Sequence, residues 1–140
     1  MKLVSTERGV QFEIVRINPD DVHSDCSVRA EIATRFGNFS GQNTAVHLSG
    51  FNTFLEQFDE FLKTRRGEVV LQMTEDNALT FFRWNGKGDV GVRFTLCRYT
   101  YIGEPAKTSP LVFKGEFPLD GEYLTQLRSD FRSLADHESA

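Results

Sequence analysis

The sequence predicts an α+β protein: a curved, mainly antiparallel sheet of about seven strands, ordered βββ-α-ββββ-α, with two helices packed on one face. Three observations predict it. Several segments alternate apolar and polar residues with a period of two, the mark of half-buried strands. Two segments switch to the helical period, with apolar residues recurring three and four apart. Short turns join the strands, and they favour antiparallel pairing because parallel pairing needs a long crossover.

The first strand is VQFEIVRI (10–17), with Val10, Phe12 and Ile14 on one side and a stop at Asn18-Pro19. After PDDVHSD the run 26–36 alternates again. Cys26, Val28, Ala30, Ile32 and Phe36 point one way, and Ser27, Arg29, Glu31 and Arg35 the other. GNFSGQN supplies turn residues, and TAVHL reads as a short third strand. The period then changes. Phe51, Phe54, Leu55, Phe58, Phe61 and Leu62 share one helical face, while Glu56, Asp59 and Glu60 lie on the wet side. Ser49 is the expected N-cap of that helix, and Lys63, Arg65 and Arg66 load its last turn before Gly67 at C′.

Three more strands come next, EVVLQMT, ALTFFRW and VGVRFTLCRYTYI, with turn signals at Asp76-Asn77 and at 85–89. A five-residue loop at 85–89 sets Trp84 opposite Val90 and Phe82 opposite Val92. One face then holds Phe82, Trp84, Val90, Val92, Phe94 and Leu96, and a two-residue turn at Asp76-Asn77 adds Val69, Leu71 and Met73 to it. The helices are expected to cover this Phe94 face. A loop with two prolines, GEPAKTSP, leads to LVFKGEF. Asp120 then N-caps a last helix carrying Tyr123, Leu124, Leu127, Phe131 and Leu134, with Leu119 and Leu124 as a hydrophobic staple.

At 140 residues the chain suits one domain spanning 1–140, with an ordered core over about 10–135 and a polar tail at 136–140. A net charge of −4 argues against a sequence-independent grip on nucleic acid or on an anionic membrane, and leaves open a basic protein partner. Cys26 and Cys97 form no CxxC pair, which suits a reduced compartment. No apolar leader is visible near the start, and no stretch approaches the roughly 20 apolar residues of a membrane helix. A soluble, cytoplasmic protein is expected.

Gly86, Gly88 and Gly91 spell G-x-G-x-x-G, a string that cradles phosphates where it comes after a strand and opens a helix. Here a long alternating strand succeeds it, and the kinase version needs a valine where Arg93 stands. The string reads instead as a hairpin loop, with Gly86 and Gly88 permitting positive φ and Gly91 allowing a bulge or close packing. DDVHSDC gathers Asp20, Asp21, His23, Asp25 and Cys26, but at the spacing of neither a zinc site nor a calcium loop. His47 and His137 lack catalytic companions. No catalytic residue, cofactor or metal ligand is predicted, and the protein is not expected to be an enzyme.

In the predicted register the second sheet face carries Val70, Leu79, Phe81, Arg83, Arg93, Thr95, Tyr99 and Tyr101. Aromatic residues mixed with arginines are enriched in protein interfaces and in single-strand nucleic-acid platforms. The acidic total favours protein, so Phe81, Arg83, Arg93, Tyr99 and Tyr101 are the candidate partner-binding residues. Two alternatives stand beside this. The face is a second core layer under the first strands, with snorkelling arginines. Or the concave sheet near Trp84, Arg83 and Tyr99 holds a small-molecule or enzymatic pocket. An uncovered edge at 10–17 or 111–117 would let two copies pair as a homodimer.

A helix with spaced phenylalanines at Phe54 to Phe58, a G-x-V-x-V hairpin at Gly88 to Val92, and F-x-L-D at Phe117 to Asp120 before Leu124 and Leu127 make up a recurring plan. It resembles small bacterial domains of unknown function related to the WapI-type immunity proteins. Every matching position is core, turn or cap, so no functional residue carries over. The resemblance implies a cytoplasmic bacterial protein that neutralises a toxin domain by binding it.

Overall fold

The structure, a computed structural model, describes residues 1–16, 25–48, 50–103 and 107–135. The elements are β1 (Lys2–Val4), β2 (Val10–Arg16), β3 (Asp25–Thr34), β4 (Gly37–His47), α1 (Phe51–Thr64), β5 (Glu68–Gln72), β6 (Ala78–Arg83), β7 (Val90–Ile102), β8 (Lys107–Pro118) and α2 (Gly121–Ala135). The class is α+β, and among the described residues every strand pair is antiparallel and there are two α-helices, as the sequence predicts. The strands divide into two sheets of four, β1-β2-β3-β4 and β5-β6-β7-β8. The sheets meet at two corners through isolated bridges, Leu48 to Met73 and Ser5 to Leu119, so no continuous ladder closes them.

The early strands hold two surprises. GNFSGQN, expected as a turn, is extended inside β4; the turn is at Arg35-Phe36, with Thr34 paired to Gly37. Phe36 therefore sits at a hairpin tip, 85% exposed, and does not continue the Cys26–Val28–Ala30 row. The glycine that made this segment look like a turn serves packing instead. A Cβ on Gly41 would stand 3.0 Å from the Phe113 ring of β8, so a side chain there would push that ring outward and glycine suits the close approach.

Helix α1 forms as its periodicity predicts, burying Phe51, Phe54, Phe58 and Phe61. Its ends differ from expectation. Ser49 lies outside the described residues, and Gly50 precedes the first turn with no side-chain cap. At the other end Arg65, not Gly67, takes the left-handed cap and donates its N–H to the Phe61 carbonyl. Helix α2 starts as expected: Asp120 Oδ1 accepts the Glu122 N–H at 3.0 Å.

The largest correction concerns β6. Arg83 pairs with Val90, Phe82 with Gly91 and Phe81 with Val92, while Gln72 pairs with Ala78. Both connections are longer than predicted, spanning 73–77 and 84–89, and each reverses the parity of β6. The two reversals cancel across it, so Val69 and Leu71 still share a face with Val92 and Phe94. Leu79 and Phe81 turn inward to full burial, and Phe82 and Trp84 turn outward.

The inner face of the second sheet meets two covers. Phe94 packs on Phe12 of the first sheet, centroids 5.7 Å apart, and on Phe113 at 5.3 Å. Phe81 packs under the helices, on Phe58 at 4.9 Å and Phe131 at 5.9 Å. The expectation that helices cover the Phe94 face holds at the Phe81 end, whereas the first sheet covers Phe94 itself. Among the described residues no helix is long and apolar enough to cross a membrane.

Candidate protein-binding surface

The outer face of the second sheet is built by strand register. One cross-strand row is Glu68, Phe82, Gly91 and Pro118; the next is Val70, Thr80, Arg93 and Glu116. Gly91 has no side chain, and the Phe82 and Trp84 rings lie over it. A Cβ there would come within 2.8 Å of both rings. This is the role of the third glycine of the string. Of the other two, Gly88 takes positive φ at 85°, and Gly86 does not.

Arg93 is the centre of this face. Its Nε donates to Glu116 Oε1 at 2.6 Å, its Nη1 reaches Glu68 Oε1 at 3.4 Å, and its guanidinium stands 4.8 Å from the Phe82 centroid. The hydrogen bond to Glu116 and the charge of both carboxylates lift the guanidinium pKa further above its ordinary value. The arrangement fixes a flexible side chain over an aromatic ring while leaving its edge in water.

The loop after Trp84 is stiff. Trp84 N–H donates to Asp89 O at 2.7 Å, and Asn85 Oδ1 accepts the Lys87 N–H at 2.9 Å and the Asp89 N–H at 3.3 Å. Asn85 Nδ2 donates to Asp89 Oδ2 at 2.6 Å, and Arg65 Nε donates to Gly88 O at 3.1 Å, tying the loop to the end of α1.

The predicted site residues scatter. Phe81, expected on this face, is fully buried in the core. Arg83 is exposed at the end of β6, on the opposite parity to Arg93. Tyr99 does share the Arg93 face but lies six residues along β7, about 20 Å away at the usual strand rise. The Tyr101 side chain lies outside the described residues, as do Asp20, Asp21, His23 and His137. Two members that the predicted register had placed inside, Phe82 and Trp84, belong to the surface. A signal for them existed: a glycine two before Arg93 leaves room for a ring across the strand.

Tyr99 makes a separate contact. Its hydroxyl donates to Asp76 Oδ2, and that bond and the nearby carboxylate charge push the phenol up to about 12. Asp76 belongs to a 3-10 turn, Thr74–Asp76, in which Glu75 and Asp76 both have positive φ. Beside it Asn77, fully buried, replaces a missing strand residue. Its Oδ1 accepts the Cys97 N–H at 2.9 Å and its Nδ2 donates to Cys97 O at 3.1 Å. Asn43 of β4 donates to both Asn77 Oδ1 at 2.7 Å and Cys97 O at 2.8 Å, so buried amides join the two sheets. Cys97 is buried beneath this turn and not presented beside Arg93.

A recess of about 280 Å³ lies between β4 and β8, lined by Gln42, Asn43, Arg98 and Leu111 among others. It is far along β7 from Trp84, and the Asn43 amide that lines it is already committed. The concave pocket expected near Trp84, Arg83 and Tyr99 would draw on residues that do not cluster, since Tyr99 lies about 20 Å along β7 from Arg93; the inner face is filled with phenylalanine rings.

Comparison with known proteins supplies the family. The model described as the Immunity protein WapI-like family matches residues 3–137. The chain belongs to the WapI-like immunity protein family. No curated protein and no solved structure gives a match. For this WapI-like immunity protein, membership brings an immunity-type, protein-binding role at the level of the family, with a protein as the partner.

Proposed function

We propose that the protein acts in the bacterial cytoplasm as a non-catalytic inhibitor, occluding a toxin domain with the outer face of its second sheet. The observation that carries this reading is the Arg93 cluster. An arginine is held by Glu68 and Glu116 over Phe82, beside the 40% exposed Trp84, on a face that, among the described residues, neither helices nor first sheet cover. Arginine and tryptophan are the residues on which interface energy concentrates, and a preorganised side chain loses little entropy on binding. Family membership supports a protein partner.

The test is calorimetric titration of a co-purified toxin domain with wild type, Arg93→Glu and Phe82→Ala. Both variants should keep the wild-type melting transition to within a few degrees and lose affinity by tenfold or more, the scale of an interface hot spot. Wild-type affinity in both would remove this face from the interface.

A further inference from the structure

We infer that the corner formed by the end of α1 and the end of β6 is a docking site for an acidic segment of the protein partner. The inference rests on the reading of a protein partner but concerns side chains other than Arg93.

An open recess of about 500 Å³ lies there, lined by Arg65, Arg66, Gly67, Glu68, Phe82 and Arg83. Its charges are uneven. Glu68 is engaged by Arg93, and Asp89 on the adjoining loop accepts from Asn85. Arg65 is held in place by the Gly88 and Leu62 carbonyls, yet keeps its charge. Arg66 and Arg83 are exposed, and among the described residues neither guanidinium forms an ion pair. Lys87, likewise exposed, stands at the tip of the loop whose carbonyl Arg65 grips. Among the described residues Arg65, Arg66, Arg83 and Lys87 thus outnumber the nearby carboxylates Glu68 and Asp89, so an acidic chain, at −4, carries a positive corner.

Fork-shaped guanidiniums recognise carboxylates with two parallel hydrogen bonds, which suits Asp and Glu side chains. The half-buried Phe82 beside them offers an apolar seat for the intervening stems. The loop and helix end that present these groups are already tied together, so little ordering is required on binding. Charge complementarity therefore selects a carboxylate-rich stretch.

The protein contains one tryptophan, Trp84, next to Arg83 and Phe82. Its fluorescence reports on this corner directly. The experiment titrates a ten-residue polyglutamate peptide, and separately a thymidine decanucleotide, into wild type, Arg66→Glu/Arg83→Glu and Arg132→Glu. Arg132 is exposed on α2, away from the corner, and its reversal controls for added negative charge elsewhere, at half the change of the double variant. The expected result is a saturable change with the peptide that weakens with added salt, is lost at least tenfold in the double variant and persists in Arg132→Glu. No response to the peptide, an equal response in the double variant, or a response to the oligonucleotide alone would overturn the assignment. A toxin domain that binds Arg66→Glu/Arg83→Glu normally but fails with Arg93→Glu would reject this corner and leave the main surface standing. The converse would reject the main surface.

Discussion

The two faces of the second sheet are built from the same alternating strands and carry aromatic rings on both sides, yet they behave as different materials. Phe81 and Phe82 are neighbours in the chain. Phe81 is sealed among Phe54, Phe58 and Phe131, whereas Phe82 lies half-buried over a glycine under an arginine. The inner face draws its energy from excluded water and close packing, which no single neighbour can replace. The outer face is held by charge-assisted hydrogen bonds in contact with water, so its parts can be changed without collapsing the fold. On the proposed reading, stability and recognition fall to opposite sides of one sheet.

The sharpest way to break the comparison is the adjacent pair of phenylalanines. Phe81→Ala should cost about 3–5 kcal/mol in urea unfolding, and Phe82→Ala about 1 kcal/mol, with the affinity loss confined to Phe82→Ala. Equal costs would mean the faces are not distinct. Next is the buried amide. Asn77→Ala strands the Cys97 N–H and part of Asn43, and should cost about 2–3 kcal/mol, seen as a lower unfolding midpoint. A matched pair of glycines gives a smaller contrast. A Cβ on Gly115 meets the Phe94 ring at 2.6 Å inside the core, and one on Gly91 meets Phe82 and Trp84 at 2.8 Å on the surface. Gly115→Ala should cost about 1–3 kcal/mol, while Gly91→Ala should cost less and shift the Trp84 emission, because surface rings can swing away.

The smallest effect is a titration. Tyr99 ionises near 12 in the fold against about 10 in an open chain, so its contact with Asp76 favours the neutral phenol. That stabilisation is complete below pH 10 and disappears as pH rises from 10 through 12. Asp76→Asn, which tolerates the left-handed backbone at that position, should bring the phenol back toward 10. Tyrosinate absorbance, with Tyr99→Phe as the subtraction, reads it; an unmoved titration would separate Tyr99 from Asp76.

Much of the plan was legible in the residues. Alternation marks β2, β3 and β7, the helical spacing of phenylalanines and leucines marks α1, and Asp120 marks the start of α2. Local periodicity is legible because each element must bury one face of itself. The β4 strand was obscured because Gly and Asn read as turn residues, when Gly41 is there for the approach of Phe113. Strand β1 is too short to show a period at all.

The sequence by itself determined the α+β class, the antiparallel order and the identity of most core residues, since these depend on spacing along the chain. It also excluded a dinucleotide-binding role for the glycine string, because Gly91 leads into a strand and not a helix. Only the tertiary structure decided which side of β6 faces inward and that the strands form two sheets. Those choices depend on loop length and on what covers each face: Asn77 reaching Cys97 lengthens one turn, and the Phe58 and Phe131 rings claim Phe81. Turning β6 over moved Phe81 into the core and brought Phe82 and Trp84 to the surface beside Arg93. A partner of the fold, not a neighbour in the chain, set the composition of that surface.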